Sequence, residues 1–188
     1  MRHFTQVGAG IDVAPILAEL DAHPELWRSY DARQTAEDSP HTEADDIWAR
    51  GPAEELQRAD ATTVIRPFQP VWWPAWWLLP SLHPHIFGLA HHIRATDIGS
   101  ILITRMPPGS KIGWHTDPGW HAETYNPKLY LPLRANEQCV NAVSADGVRE
   151  ALVMKPGEVW SFDNLKRHAV VNGGATERIV VIACMRCT

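Results

Sequence analysis

Between Ile98 and Cys184 the chain breaks into eight short segments that each read as a β-strand. They are Ile98–Met106, Lys111–His115, Lys128–Leu133, Cys139–Ser144, Glu150–Met154, Glu158–Phe162, His168–Val171 and Arg178–Cys184. Their β-branched and apolar residues favour extended backbone, and breaks such as Pro107-Pro108-Gly109 separate them. Strands this closely spaced leave no room for crossover helices. The predicted class is therefore mainly β with bracing α-helices, with the strands antiparallel in two sheets or a closed barrel. A cupin-like jelly roll protects its edges in this way and leaves one open mouth for a ligand.

The first 97 residues have a different texture. Asp12 is placed to cap a helix running through Leu20, with Ile11, Ala14, Leu17, Ala18 and Leu20 favouring one side. Asp31 to Ala61 is polar and acidic, and reads as loops and short helices on the outside. Ser81 is placed to cap a helix over His83–Ile93, whose Leu82, Ile86, Leu89, Ala90 and Ile93 recur at helical spacing. The tryptophan-rich PVWWPAWWLLP run is expected to pack this region against the barrel, with a substrate lid or dimer contact as the alternative. The expected organisation is a single domain, 1–188. In it a helical and loop support region, 1–97, braces a catalytic core, 98–188.

Size and charge narrow the function. A chain of 188 residues is long enough for a real hydrophobic core. Its net charge of −5 and lack of a basic run give no reason to expect nucleic acid as a partner. No apolar run reaches the ~20 residues that span a bilayer, and the N-terminus lacks a secretory pattern. Three cysteines are too few and too odd for a disulfide framework and fit a reducing cytoplasm. Cys184 and Cys187, though spaced C-x-x-C, read as free thiols at a strand end. A monomer or homodimer acting on a small-molecule, amino-acid or peptide substrate is expected.

The chemistry concentrates around Trp114-His115-Thr116-Asp117. Side chains alternate across a strand, so His115 and Asp117 face one side while Trp114 and Thr116 face the other. An imidazole and a carboxylate so placed are two metal ligands in search of a third. His168, opening a later strand after a turn-like stretch, is the best candidate; His121 is a rival, and His83, His85, His91 and His92 are further histidines. Two histidines and one carboxylate on one face of a metal leave three positions open, as non-haem Fe(II) oxygenases require. Arg178 opens an otherwise apolar strand. A guanidinium projecting into a barrel needs an anion, and its planar fork suits the far carboxylate of 2-oxoglutarate.

Three segments, ILITRMPPGSKIGWHTD, KLYLPL and GEVWSFDNLKRHAVVNGGATERIVVI, resemble the aspartyl/asparaginyl β-hydroxylase family of Fe(II)- and 2-oxoglutarate-dependent dioxygenases, which includes proline cis-4-hydroxylase-type enzymes. The resemblance covers Ile98 to Met185. It implies a double-stranded β-helix, with Fe(II), 2-oxoglutarate and O₂ as cofactor and cosubstrates. It implies iron ligation by His115 and His168. Asp117 stands where animal members have glycine, so the chain looks like bacterial members with a full triad, and a carboxylate ligand argues against halogenation. Thr104 matches a hydroxyl residue that touches the cosubstrate carboxylate. Tyr130 falls where the family often has histidine beside the cosubstrate, and Lys128 where it often has arginine. The Gly119–Pro127 insertion is expected to form a lip over the pocket.

Hydroxylation of an unactivated C–H bond, with release of succinate and CO₂, is the leading expectation. Desaturation, cyclisation or epimerisation with the same cofactors is the first alternative. A non-catalytic cupin-like metal or ligand-binding module is another, and Arg178 and Asp117 argue against it. Trp114, Trp120, Trp160 and Asn164 are candidate substrate-binding residues, the tryptophans equally able to fill the barrel core and Asn164 able to serve only its turn.

Overall fold

The computed structural model describes residues 1–27, 29–54, 66–117 and 119–187. Two antiparallel sheets face one another. The larger has seven strands in the order β1-β9-β6-β11-β4-β2-β3, and the smaller has four in the order β5-β10-β7-β8. The eight strands expected from sequence are all present: β4 (Asp97–Met106), β5 (Lys111–His115), β6 (Lys128–Arg134), β7 (Cys139–Ala145), β8 (Val148–Val153), β9 (Val159–Phe162), β10 (Arg167–Asn172) and β11 (Arg178–Arg186).

Three further strands come from the N-terminal region: β1 (Thr5–Gly8), β2 (Asp45–Gly51) and β3 (Val71–Trp72). The expectation of external loops and short helices over 31–61 is therefore corrected for β2, which pairs with β4 and is buried along almost its whole length. Its leading Asp45-Asp46 disguised it as surface. Asp45 instead pairs with Arg105 at 2.8 Å, and Asp46 is buried against Arg33 at 2.8 Å and the Thr104 hydroxyl at 2.6 Å. Residues 55–61 of that segment lie outside the described residues.

The large sheet is covered on both faces, so its central strands read as continuous apolar runs. Alternation still sorts them. Ile101, Ile103, Leu129, Leu131, Ile179 and Val181 face a helical layer of α1 (Ala14–Ala22), α3 (Pro74–Leu78) and α4 (His83–His92), whose Ile16, Leu20, Trp76 and Ile86, with Leu79 and Leu82 from the turn between α3 and α4, complete the main core. A fourth short helix, α2 (Ala32–Thr35), lies nearer the second face, and α5 (Trp120–Thr124) follows β5. Leu102, Thr104, Tyr130, Arg178, Ile182 and Cys184 occupy the alternate positions and turn toward the small sheet, where the cavity lies.

Two capping expectations are revised. Helix α1 begins after Val13, with Asp12 Oδ1 accepting the Ala14 N–H at 3.0 Å. Ser81 caps nothing: its N–H and hydroxyl both donate to the Glu19 carboxylate, at 3.1 and 2.6 Å, which ties α4 to α1. The tryptophan-rich run packs as expected. Trp73 and Trp76 are buried, and Trp76 stacks between Trp72 and His83 at centroid distances of 4.2 and 3.9 Å. No helix among the described residues is long and apolar enough to cross a membrane.

Ile103 is fully buried at the centre of the large sheet, between β2 and β11. Ile103→Ala is expected to lower unfolding free energy by about 2–5 kcal/mol, read as a fall in urea midpoint at unchanged slope.

Candidate metal centre

Strands β5 and β10 are neighbours in the small sheet, and their register sets His168 directly opposite His115. A bulge in this pair, between His168 and Val170, lets Ile112 and His115 both turn inward. The two imidazole centroids are 4.2 Å apart. Asp117 lies just past the end of β5, and its backbone N–H donates to the Asn164 carbonyl at 3.0 Å. One donor atom from each of His115, Asp117 and His168 falls within 4.8 Å of the others. Asp117 Oδ1 is 3.4 Å from His115 Nε2 and 3.9 Å from His168 Nε2.

The tautomers follow from the backbone. His115 Nδ1 is 2.7 Å from the Gly113 carbonyl, and His168 Nδ1 is 2.9 Å from the Lys166 carbonyl. A carbonyl only accepts, so each Nδ1 carries the proton and each Nε2 presents its lone pair to the common point. Burial also disfavours the charged ring of His168, lowering its pKa to about 4 against the pull of Asp117. Burial opposes the charge on Asp117 as well, yet Lys128 and the neighbouring histidines hold its carboxyl well below the usual range. Two imidazoles that turn Nε2 inward and one carboxylate held ionised in the folded chain fit a divalent ion such as Fe(II).

These groups open onto a cavity of about 530 Å³. Cross-strand pairing orders the large sheet beneath it in rows. Asp46, Thr104 and Val180 form one; Trp48, Leu102, Ile182 and Tyr130 form the next; Cys184, Lys128 and Phe162 form the last. Arg178 stands beyond the first row. It is 3% exposed, and its only side-chain partners among the described residues are Asn141 Oδ1 at 3.1 Å and Met106 Sδ at 3.8 Å. No carboxylate among the described residues pairs with it. Burial lowers its pKa to about 10, which leaves the guanidinium charged at neutral pH.

The other expected residues divide. Thr104, Tyr130 and Lys128 line the cavity. Thr104 donates to Asp46, and Lys128 forms an ion pair with Asp117 Oδ2. Asn164 is buried beside the triad, its Nδ2 3.1 Å from Asp117 Oδ2 and 2.6 Å from the Tyr130 hydroxyl. Three tryptophans are corrected. Trp114 points away from the cavity, as alternation requires, with the guanidinium carbons of Arg149 and Arg167 at 4.6 and 5.8 Å from its ring. Trp120 makes edge contacts with Phe68 and Tyr125. Trp160 packs behind Tyr130 and Phe162, its Nε1 donating to Glu158 at 2.9 Å.

His121 is no rival ligand. Its Nε2 accepts the Ser100 N–H at 3.0 Å, and its ring is stacked between Phe68 and Tyr125. The 119–127 insertion nonetheless reaches the cavity through His121 and Ala122. Sequence reasoning missed the contribution of residues 33–48. Arg33 and the 36–41 segment wall the cavity, and His41 sets its ring edge-on to His115 at 5.2 Å. The one signal was Asp45-Asp46 opening the apolar Ile47-Trp48-Ala49, where carboxylates must find cations.

A model of the aspartyl/asparaginyl β-hydroxylase family matches residues 80–186. The chain belongs to that family. As an aspartyl/asparaginyl β-hydroxylase family member it is an Fe(II)- and 2-oxoglutarate-dependent oxygenase, and the donor set above suits that metal. No curated protein sequence gives a significant match. Among solved structures, an oxidoreductase of the 2OG-Fe(II) oxygenase family from Burkholderia pseudomallei is similar with TM-score 0.57 and 21% identity, over 92% of this chain and 78% of that one. A prolyl hydroxylase from Trichoplax adhaerens, in complex with a hypoxia inducible factor peptide fragment, gives 0.66 at 10% identity, over 98% and 83%. A Pseudomonas putida prolyl-4-hydroxylase gives 0.51 at 16%, over 99% and 94%. These likenesses establish the jelly-roll fold. The family match starts at residue 80, so Arg33, His41, Asp46 and Trp48 lie outside it.

Burial disfavours the charged form of both His168 and His121, whose pKa values fall from 6.5 to about 4 and about 3. The unfolded chain therefore takes up protons first as pH drops below 6.5, and stability falls with it. In the metal-free protein each is expected to cost about 2 kcal/mol at pH 5 relative to pH 7. Urea unfolding at the two pH values checks this; equal stability would contradict it.

Proposed function

We propose that this oxygenase hydroxylates an unactivated C–H bond of an amino acid, an amino-acid derivative or a peptidyl side chain, releasing succinate and CO₂. His115, Asp117 and His168 hold the iron. The convergence of their three donor atoms on one cavity wall carries the proposal. Bound iron, with 2-oxoglutarate and O₂, supplies the oxidising power. The chain's own residues bind, orient and shield.

Arg178 is the cosubstrate's anchor in this account. A buried guanidinium without a carboxylate is costly, and the far carboxylate of 2-oxoglutarate supplies the missing anion. The Tyr130 hydroxyl keeps its proton, because burial and the nearby Asp117 charge raise its pKa, so it remains a hydrogen-bond donor. Beyond the metal ligands, away from Arg178, the wall passes to Leu102, Ile182, Ala122, Trp48 and Cys184. This largely apolar end suits an aliphatic C–H substrate and limits competing water. Burial raises the Cys184 thiol to about 11, which leaves it inert as a nucleophile. The Trichoplax adhaerens enzyme was solved with a peptide, which supports keeping peptidyl side chains among the candidates.

Succinate release is expected to require the triad. Asp117→Ala and His168→Ala should each lower it by at least about a hundredfold, and full turnover by either would remove the ligand assignment. Arg178→Leu should raise the 2-oxoglutarate KM by roughly tenfold or more, while metal uptake persists. A screen of amino acids and short peptides for stimulated succinate release, followed by product mass, tests the reaction itself. A gain of one oxygen supports hydroxylation, and a loss of two hydrogens supports desaturation.

A further inference from the structure

The two oxygens of Asp117 have different surroundings. Oδ1 faces the Nε2 atoms of His115 and His168, at 3.4 and 3.9 Å. Oδ2 carries two donors, the Lys128 ammonium and the Asn164 amide, the latter at 3.1 Å, and that amide nitrogen also lies 3.3 Å from His168 Nε2. Neither donor is free to drift. Lys128 sits on β6, in register with Cys184 on one side and Phe162 on the other. The Asn164 amide is anchored by a 2.6 Å hydrogen bond to the Tyr130 hydroxyl, and its backbone carbonyl accepts the Asp117 N–H at 3.0 Å.

Asn164 Oδ1 is buried and, among the described residues, has no hydrogen-bond partner. Turning the amide over would place this oxygen against the Asp117 carboxylate. The contact with Asp117 therefore prevails over the needs of the amide oxygen, as expected where an ionised acceptor competes with a neutral one.

We propose that Lys128 and Asn164 are positioning residues that clamp Oδ2 of Asp117 and so restrict this carboxylate to one-oxygen ligation through Oδ1. The inference rests on the ligand assignment proposed above and adds a constraint to it. Two imidazoles and one carboxylate oxygen leave three of six positions open. A carboxylate that chelates through both oxygens leaves two, too few for a bidentate keto acid together with O₂. With its donors gone, the half-buried Oδ2 would lose both hydrogen bonds, and the metal would compete with cavity water to satisfy it. Lys128 serves the cosubstrate in this account through Asp117, without having to touch it.

Co(II) is the probe, because its visible absorption reports the ligand set and its geometry without turnover. Titrate Co(II) into metal-free wild type, Lys128→Met, Lys128→Arg and Asn164→Leu, then 2-oxoglutarate into each Co(II) protein. In Lys128→Met, Co(II) affinity should not fall, since a cation beside the site is gone. Its cosubstrate-free spectrum should shift as Oδ2 replaces a water on the ion, and 2-oxoglutarate affinity should drop by roughly tenfold or more. Lys128→Arg, which keeps a donor on Oδ2, should restore the wild-type spectrum. Asn164→Leu should bind Co(II) roughly 10–100-fold more weakly. Lys128→Gln and Asn164→Ser carry the same test if the first substitutions destabilise the metal-free fold by circular dichroism. Variants that match wild type in spectrum and in both affinities, to within about twofold, overturn the clamp alone. A wild type that takes up no Co(II) overturns the ligand assignment and the clamp with it.

Discussion

The antiparallel pairing of β10 with β5 is the contact on which the site depends. It sets His168 opposite His115 although more than fifty residues separate them in the chain. Register in a sheet is unforgiving: a slip of one residue would turn one imidazole out of the cavity. The Gly113 and Lys166 carbonyls then choose the tautomers, each from two residues before its histidine. Hydrogen bonds that already belong to the fold thus leave two Nε2 lone pairs facing inward before any ion arrives. This is preorganisation by backbone, and it demands little reorganisation on binding.

Charge is balanced around the cavity in an uneven way. Arg33 is matched by Asp46, and Lys128 by Asp117. Arg178 alone among these buried or half-buried cations has only neutral partners, an amide oxygen and a thioether. Arg178 lies at the opposite end of β11 from Cys184, with the metal ligands facing the space between. The N-terminal segment closes the other side. Arg33 donates to Asp46, Asp46 accepts from Thr104, and the Arg33 guanidinium lies within 3.1 Å of both His41 ring nitrogens. His41, buried and kept neutral by that burial and by the adjacent Arg33 charge, can rest against the His115 ring without competing for the metal's negative ligands.

Much of this was legible from residues. The strands of the second half announced themselves because β-branched runs alternate with proline and glycine breaks. His-x-Asp at a strand end, a distant histidine and an arginine ten residues later made a pattern with chemical meaning. What escaped was long-range pairing of polar groups. Asp45 and Asp46 made β2 look like surface, because their partners Arg105, Arg33 and Thr104 are remote in sequence. Asn164 read as a substrate-binding or turn residue, and only the folded loop reveals its amide against Asp117. Trp114, Trp120 and Trp160 lay near the motif in sequence, yet strand alternation and local packing sent them elsewhere. Sequence proximity is a poor guide to what lines a barrel.

Diffraction from crystals soaked with Mn(II), a redox-stable substitute for Fe(II), tests the central claim most directly, because anomalous scattering locates the ion without interpretation of chemistry. The account predicts one strong peak at bonding distance, about 2.0–2.3 Å, from His115 Nε2, Asp117 Oδ1 and His168 Nε2 together. A peak bound by any other set of side chains, or none at saturating Mn(II), would contradict it.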